Sequence, residues 1–170
     1  DRLVREAAYF NYNWKADTIF QTATRTSMDD FHIDTRYRLY GALMQASPEG
    51  KVRWLRAFSR HLSEKILLEK GDGFKPDGSA FHHGFHYFAY ANYSLNSLTH
   101  IVSLLGNTPF AISAEAYSRL KRVLLAMRFY CNQNDLPLPL CGRHPHTQAF
   151  SAGKLLAIAQ ASGQGLDRDL

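Results

Sequence analysis

Residues 73–90 constrain this chain more than any other stretch: Gly-Phe-Lys-Pro-Asp-Gly-Ser-Ala-Phe-His-His-Gly-Phe-His-Tyr-Phe-Ala-Tyr. Gly73, Pro76, Asp77, Gly78 and Gly84 interrupt helical and strand periodicity alike. Helix-like patterns lie on both sides, so the stretch reads as a long connection between helices. A connection that only reverses the chain is short and polar. This one carries Phe74, Phe81, His82, His83, Phe85, His86, Tyr87, Phe88 and Tyr90. Long loops loaded with aromatic and titratable side chains are where binding and catalysis concentrate.

The flanking pattern is helix, break, helix. Residues 2–24 read as a first helix, with Phe10, Trp14, Ile19 and Phe20 packing inward. Asp30 is placed to cap a second helix running to about residue 46, with Tyr37, Tyr40, Leu43 and Met44 inward. Ser47-Pro48-Glu49 has the signature of a helix start: a Ser cap, Pro in the first position and an acid in the first turn. The helix that follows puts Val52, Leu55, Phe58, Leu62 and Ile66 on one stripe and closes near Lys70-Gly71. Beyond the long connection, a helix over residues 87–105 is stopped by Gly106 to Pro109. Ser113 caps another, with Tyr117, Leu120, Leu124, Met127 and Cys131 on one face, and a last helix covers residues 148–161. No stretch reads as a sheet, apart from a short extended segment at residues 136–140. The expected fold is therefore all-α, built from packed antiparallel helix pairs. If the pairs stand side by side, residues 73–90 and a second irregular stretch, 135–146, fall at one rim.

A chain of 170 residues with 45% hydrophobic and 21% charged residues suits one globular domain with a real core. No apolar run is long enough to span a bilayer, and no membrane partner is expected. The N-terminus has no initiator Met and no signal-peptide pattern, and reads as a piece cut from a larger protein. Two cysteines, Cys131 and Cys141, are too few for a disulfide scaffold; they lie close enough in sequence to pair, but two buried thiols is the preferred reading. A net charge of +5 favours anionic partners. Lys and Arg are scattered, without the dense run of a nucleic-acid arm, so an anionic polysaccharide is preferred over nucleic acid.

His83, Tyr90 and Arg143 offer one chemistry together. His83 and Tyr90 stand seven residues apart, two turns on one face of a helix, with Gly84 loosening the backbone between them. The proton on C5 of a uronic acid is weakly acidic. Removing it requires the sugar carboxylate to be neutralised and a base to be supplied. Arg and protonated His serve the first need. A tyrosinate stabilised by neighbouring cations serves the second. The protonated Tyr can then donate to the leaving glycosidic oxygen, which completes a β-elimination without water.

Residues 73–83, followed by Tyr87 and Tyr90, resemble the catalytic segment of polysaccharide lyase family 8, in its chondroitin sulfate ABC branch. The run Leu136-Pro137-Leu138-Pro139-Leu140-Cys141-Gly142-Arg143-His144-Pro145 resembles the second motif of that family. The two motifs come in the right order and spacing, and weaker similarity extends over most of the chain. The resemblance implies that His83, Tyr90 and Arg143 hold catalytic positions on part of an incomplete toroid of α/α hairpins. It makes Tyr90 the base and acid, with His83 and Arg143 assisting. It assigns His82, His86, Tyr87 and His144 to substrate binding. The substrate class implied is an anionic glycosaminoglycan, chondroitin or dermatan sulfate, and hence a secreted or periplasmic bacterial protein. Two departures stand out. His82 occupies a place where an Arg is expected, and no stretch matches the Glu that the family carries on a later β-rich domain. The whole chain, 1–170, thus reads as one partial catalytic domain without the family's β-sandwich domains, which would be partners within the parent chain. No cofactor is implied, and a divalent-cation requirement stays open.

Blander readings exist for each residue. Tyr90 suits a helical core, Arg143 a loop brace, and His83 a structural hydrogen bond. His82 and His86 have the i, i+4 spacing of helical metal ligands, yet no Glu or Cys occupies the companion positions of the familiar zinc motif. The alternative from another class is a non-catalytic, glycosaminoglycan-binding helical module.

Overall fold

A computed structural model describes residue 3, residues 16–144 and residues 146–170. Phe10 and Trp14, expected in the first helix, lie outside the described residues. The expected continuation of that helix to residue 24 does not occur. Ala16–Phe20 is a 3-10 turn, and residues 22–27 have no regular secondary structure.

The reason is tertiary. The next long helix offers side chains to the main chain of alternate residues. Arg60 donates to the Ile19 carbonyl at 3.2 Å, and His61 Nδ1 to that of Gln21 at 3.2 Å. Glu64 accepts the Ala23 N–H at 3.0 Å, and Lys65 donates to the Arg25 carbonyl at 2.6 Å. Contacts at every second residue fit an extended backbone and satisfy groups that a helix would have bonded internally.

Ser27 opens the next helical run. Its Oγ accepts the Asp30 N–H at 3.3 Å, while Asp30 Oδ2 accepts the Ser27 N–H at 2.9 Å. That is the reciprocal capping-box arrangement, so Ser27 rather than Asp30 is the cap. A π-helical turn, Asp30–Asp34, leads into α1, Thr35–Leu43. The expected inward residues Tyr40 and Leu43 are exposed, whereas Arg38 and Leu39 are buried. Arg38 faces in because Asp30 and Asp34 meet its guanidinium at 3.5 and 3.4 Å, and Lys65 approaches Asp30 at 3.1 Å.

Helix α2, Pro48–Leu67, begins as read: Ser47 Oγ accepts the Gly50 N–H at 3.0 Å and Pro48 occupies the first position. Leu55, Phe58, Leu62 and Ile66 are buried, while Val52 is exposed at the open end of the stripe. The helix stops at Leu67, short of the expected Lys70. Helix α3, Phe88–Leu105, and helix α4, Ala114–Tyr130, match the expected spans closely, with Ser113 capping α4 through the Ala116 N–H at 3.2 Å. Helix α5, Ala152–Ala159, is shorter than expected at both ends. Helix α2 packs against α1 and α4, while α3 packs against the π turn and α5. The shared core includes Phe31, Phe58, Phe74, Phe88, Leu95, Leu98, Leu124 and Met127. Both cysteines are free thiols. Among the described residues no helix is long and apolar enough to cross a membrane.

The fold is all-α in its mass, but the two irregular stretches are not loops throughout. Residues 73–86 form a three-stranded antiparallel sheet of β1, Gly73–Phe74, β2, Ala80–His82, and β3, Phe85–His86. Strands β4, Asp135–Leu136, and β5, Gln148–Ala149, pair as a second ribbon. Leu138–Leu140, expected to be extended, is a 3-10 turn.

Candidate active site

Two turns shape the first ribbon. Between β1 and β2, Asp77 Oδ1 accepts the N–H and hydroxyl of Ser79 at 2.9 and 2.6 Å. Gly78 follows with φ +88°, where a Cβ would lie 2.9 Å from the Arg122 carbonyl of α4. Glycine is thus required twice over, for backbone conformation and for close approach. Between β2 and β3 the turn consists of His83 and Gly84, with φ +53° and +77°. Two successive left-handed residues are what a tight two-residue hairpin requires. His83 therefore sits at a hairpin tip and not on a helix.

The register then sorts the histidines. His82 opposes Phe85 and Phe81 opposes His86. Residues opposed in an antiparallel ribbon share a face, and neighbours along a strand point to opposite faces. His82 goes with the site. The His82 ring centre is 4.1 Å from that of Tyr90 and 3.9 Å from that of His83. His86 goes the other way, 5.9 Å from Phe81 and 4.4 Å from Phe88 between ring centres, near Tyr130. The structure does not bring His86 to the cluster, and the helical i, i+4 pairing of His82 with His86 does not arise. Among the described residues no group of three or more His, Cys, Asp or Glu side chains is arranged to hold a metal ion.

Tyr87 precedes α3 and Tyr90 lies in its first turn. The second motif reaches both. Arg143 Nη2 donates to Tyr90 Oη at 2.6 Å, and the Arg143 N–H donates to Tyr87 Oη at 3.1 Å. Gly142, at φ +59°, lies so close that a Cβ there would meet the Tyr87 ring at 2.2 Å. Tyr87 is buried to 6% exposure and serves as the post on which the Arg143 turn rests. His144 extends the aromatic wall, 6.3 Å from Tyr90 and 5.7 Å from Tyr93 between ring centres.

His82 is 2% exposed, with the carboxylates of Asp72 and Asp29 at 3.6 and 4.0 Å from its ring nitrogens. Burial, and next the nearby His83, hold its pKa below the ordinary imidazole value, against the pull of both carboxylates. His86 is also held low, by burial. His82 and Tyr87 thus form the floor of the cluster, while His83 and Arg143 are exposed above it. Tyr93, read from sequence only as a helix packing residue, joins the wall. Its position three residues after Tyr90, one helical turn on, is the signal that places it there.

The arrangement sets an exposed imidazole and an exposed guanidinium beside one phenol. The sequence matches the family described as "Lyase, catalytic" over residues 3–165. The chain belongs to that family, the polysaccharide lyases of family 8 that its two motifs resemble. It is 41% identical over 136 residues to a chondroitin sulfate ABC exolyase of Bacteroides thetaiotaomicron, covering 79% of this chain and 13% of that protein. It is 36% identical over 138 residues to a chondroitin sulfate ABC exolyase of Proteus vulgaris, covering 78% and 14%. A chondroitin sulfate ABC endolyase of Proteus vulgaris is 27% identical over 142 residues, covering 82% and 13%. The chain thus spans about one-seventh of the length of these relatives.

Proposed function

We propose that the protein carrying this chain cleaves chondroitin or dermatan sulfate by β-elimination at a uronic acid, with Tyr90 as base and then acid. The observation that carries the reading is the 2.6 Å hydrogen bond from Arg143 Nη2 to Tyr90 Oη, which joins the two motifs at the atom where chemistry is expected. A cationic donor aimed at a phenolic oxygen stabilises negative charge there without reorganisation. The Tyr90 oxygen takes the C5 proton, the C4–O bond breaks, and the same phenol returns the proton to the leaving oxygen. Bond making and breaking balance without water, and the product is a 4,5-unsaturated uronate.

His83 and Arg143, both exposed beside Tyr90, offer charge to the sugar carboxylate. On the epimeric iduronate His83, as the neutral imidazole, would instead take the proton. His144 and Tyr93, inclined at 66° to one another, offer aromatic surface for a pyranose ring. The expected Glu from a later domain would complete the site, within a toroid to which these helices contribute. Such polymers lie outside cells, which supports a secreted or periplasmic setting.

The names of the relatives support the substrate class, and the net charge of +5 suits it. The test is the absorbance of unsaturated uronate during incubation with chondroitin sulfate, for the full-length protein and for residues 1–170 alone. The reading predicts product from the full-length protein. Salt-dependent binding by both forms with no product from either would favour a non-catalytic glycosaminoglycan-binding module.

A further inference from the structure

We propose that Asp72 is the positioning residue that fixes His83 beside Tyr90, an inference that rests on the lyase reading of this site. Asp72 lies on neither strand of the hairpin that carries His83. Its Oδ2 accepts the His83 N–H at 3.0 Å and its Oδ1 accepts the Gly84 N–H at 3.0 Å, across 11 and 12 residues of chain. Successive amides of a tight turn converge into an anion-binding concavity. Here a carboxylate of the protein itself fills it.

The bond matters because of what His83 is asked to do. Its φ of +53° is uncommon for a residue with a side chain, and such a conformation persists only where the surroundings over-determine it. Gly84 adds no restraint of its own. The strands on either side are three and two residues long and cannot fix the turn alone. Asp72 supplies the missing restraint and leaves the imidazole untouched. Among the described residues no hydrogen bond reaches the ring nitrogens of His83, so both remain available to substrate.

The carboxylate is itself held. Lys75 Nζ donates to the carbonyls of Glu69 at 2.7 Å, of Asp72 at 3.2 Å, and of Gly71, closing the loop that presents Asp72. The next residue, Gly73, has φ +105°, and a Cβ there would lie 2.6 Å from Thr26 Cγ2. The same carboxylate stands 3.6 Å from Nδ1 of the buried His82. One side chain thus touches both residues of the His82-His83 pair, and it acts on the chemistry only through them.

The test uses the full-length protein with Asp72→Ala and Asp72→Asn, read by turnover of chondroitin sulfate and by hydrogen–deuterium exchange of the peptide spanning residues 83–84. Asp72→Ala is expected to lower kcat about a hundredfold, the scale of a small misplacement of a catalytic group, with KM nearly unchanged. The 83–84 amides should exchange about tenfold faster or more. Asp72→Asn keeps one accepting oxygen and should fall between wild type and Asp72→Ala in both readouts. It also decides the matter if Asp72→Ala does not fold. Unchanged exchange in either variant, or faster exchange with unchanged kcat, would overturn the proposal. If the wild-type protein forms no unsaturated product, the lyase reading fails, and the exchange measurement still decides whether Asp72 holds the turn.

Discussion

Arg143 and Tyr90, 53 residues apart in the chain, meet through a 2.6 Å hydrogen bond from Nη2 to the phenolic oxygen. The guanidinium carbon also lies 5.6 Å from the centre of the Tyr90 ring. Arg143 is exposed, so little of the fold depends on its side chain. Its replacement by Ala should lower kcat by roughly 10²–10³, as loss of a charge-stabilising donor does, while the thermal midpoint stays nearly unchanged. Lys should rescue only in part, because a point charge does not reproduce a planar donor. Product absorbance and a thermal scan on the full-length protein check both.

Gly142 lies directly against the Tyr87 ring. A methyl group there would overlap the Tyr87 ring, and the backbone is left-handed. Gly142→Ala should destabilise the chain by about 1–3 kcal/mol and displace Arg143. The expected result is a lower midpoint together with a lost turnover rate. An intact midpoint and intact activity would show that the turn does not rest on Tyr87 in this way.

Much of this architecture is legible in the residues. The caps at Ser47 and Ser113 and the apolar stripes of α2 and α4 announce their helices, because each satisfies local rules without outside help. Residues 19–25 mislead because their apolar content suits a helix, while four α2 side chains claim their main chain instead. Arg38 misleads in the same way, buried in α1 by carboxylates one and two turns before it. The small strands escape detection because two or three residues carry no periodicity. Only the turns around Asp77-Gly78 and His83-Gly84 betray them. The ribbon also sorts the histidines. A helix would place His82 and His86 together, whereas a ribbon places them on opposite faces. The motifs locate His83, Tyr90 and Arg143, but Tyr93 and Asp72 join them through the fold.

His61 gives a pH dependence with a definite sign. Burial, and next the Arg38 charge, lower its pKa from 6.5 to about 4. The folded state therefore favours the neutral ring, and this contribution to stability is full above pH 6.5 and is lost as pH falls toward 4. The loss amounts to about 3 kcal/mol at most. His61→Gln should flatten the fall in thermal midpoint between pH 6.5 and 4. An unchanged slope in that variant would assign the acid sensitivity elsewhere.

Asp30 joins three elements: it accepts the Ser27 N–H and faces Arg38 and Lys65, both about nine-tenths buried. Burial lowers the Lys65 pKa, and Asp30 opposes that shift. Asp30→Ala removes the carboxylate and leaves buried cations without it, which should cost about 3–5 kcal/mol. Denaturant titration against wild type checks this. A loss below about 1 kcal/mol, the range of an exposed pair, would contradict it.

The proposed chemistry turns on one oxygen atom, and Tyr90→Phe removes it while leaving the ring packed at a tilt on His82 and edge-on to Tyr87. The measurement is the initial rate of unsaturated uronate formation from chondroitin sulfate by the full-length Tyr90→Phe protein, with its fold checked by thermal scan. A folded protein with almost no product is expected. A folded variant that retains the wild-type rate would contradict that chemistry.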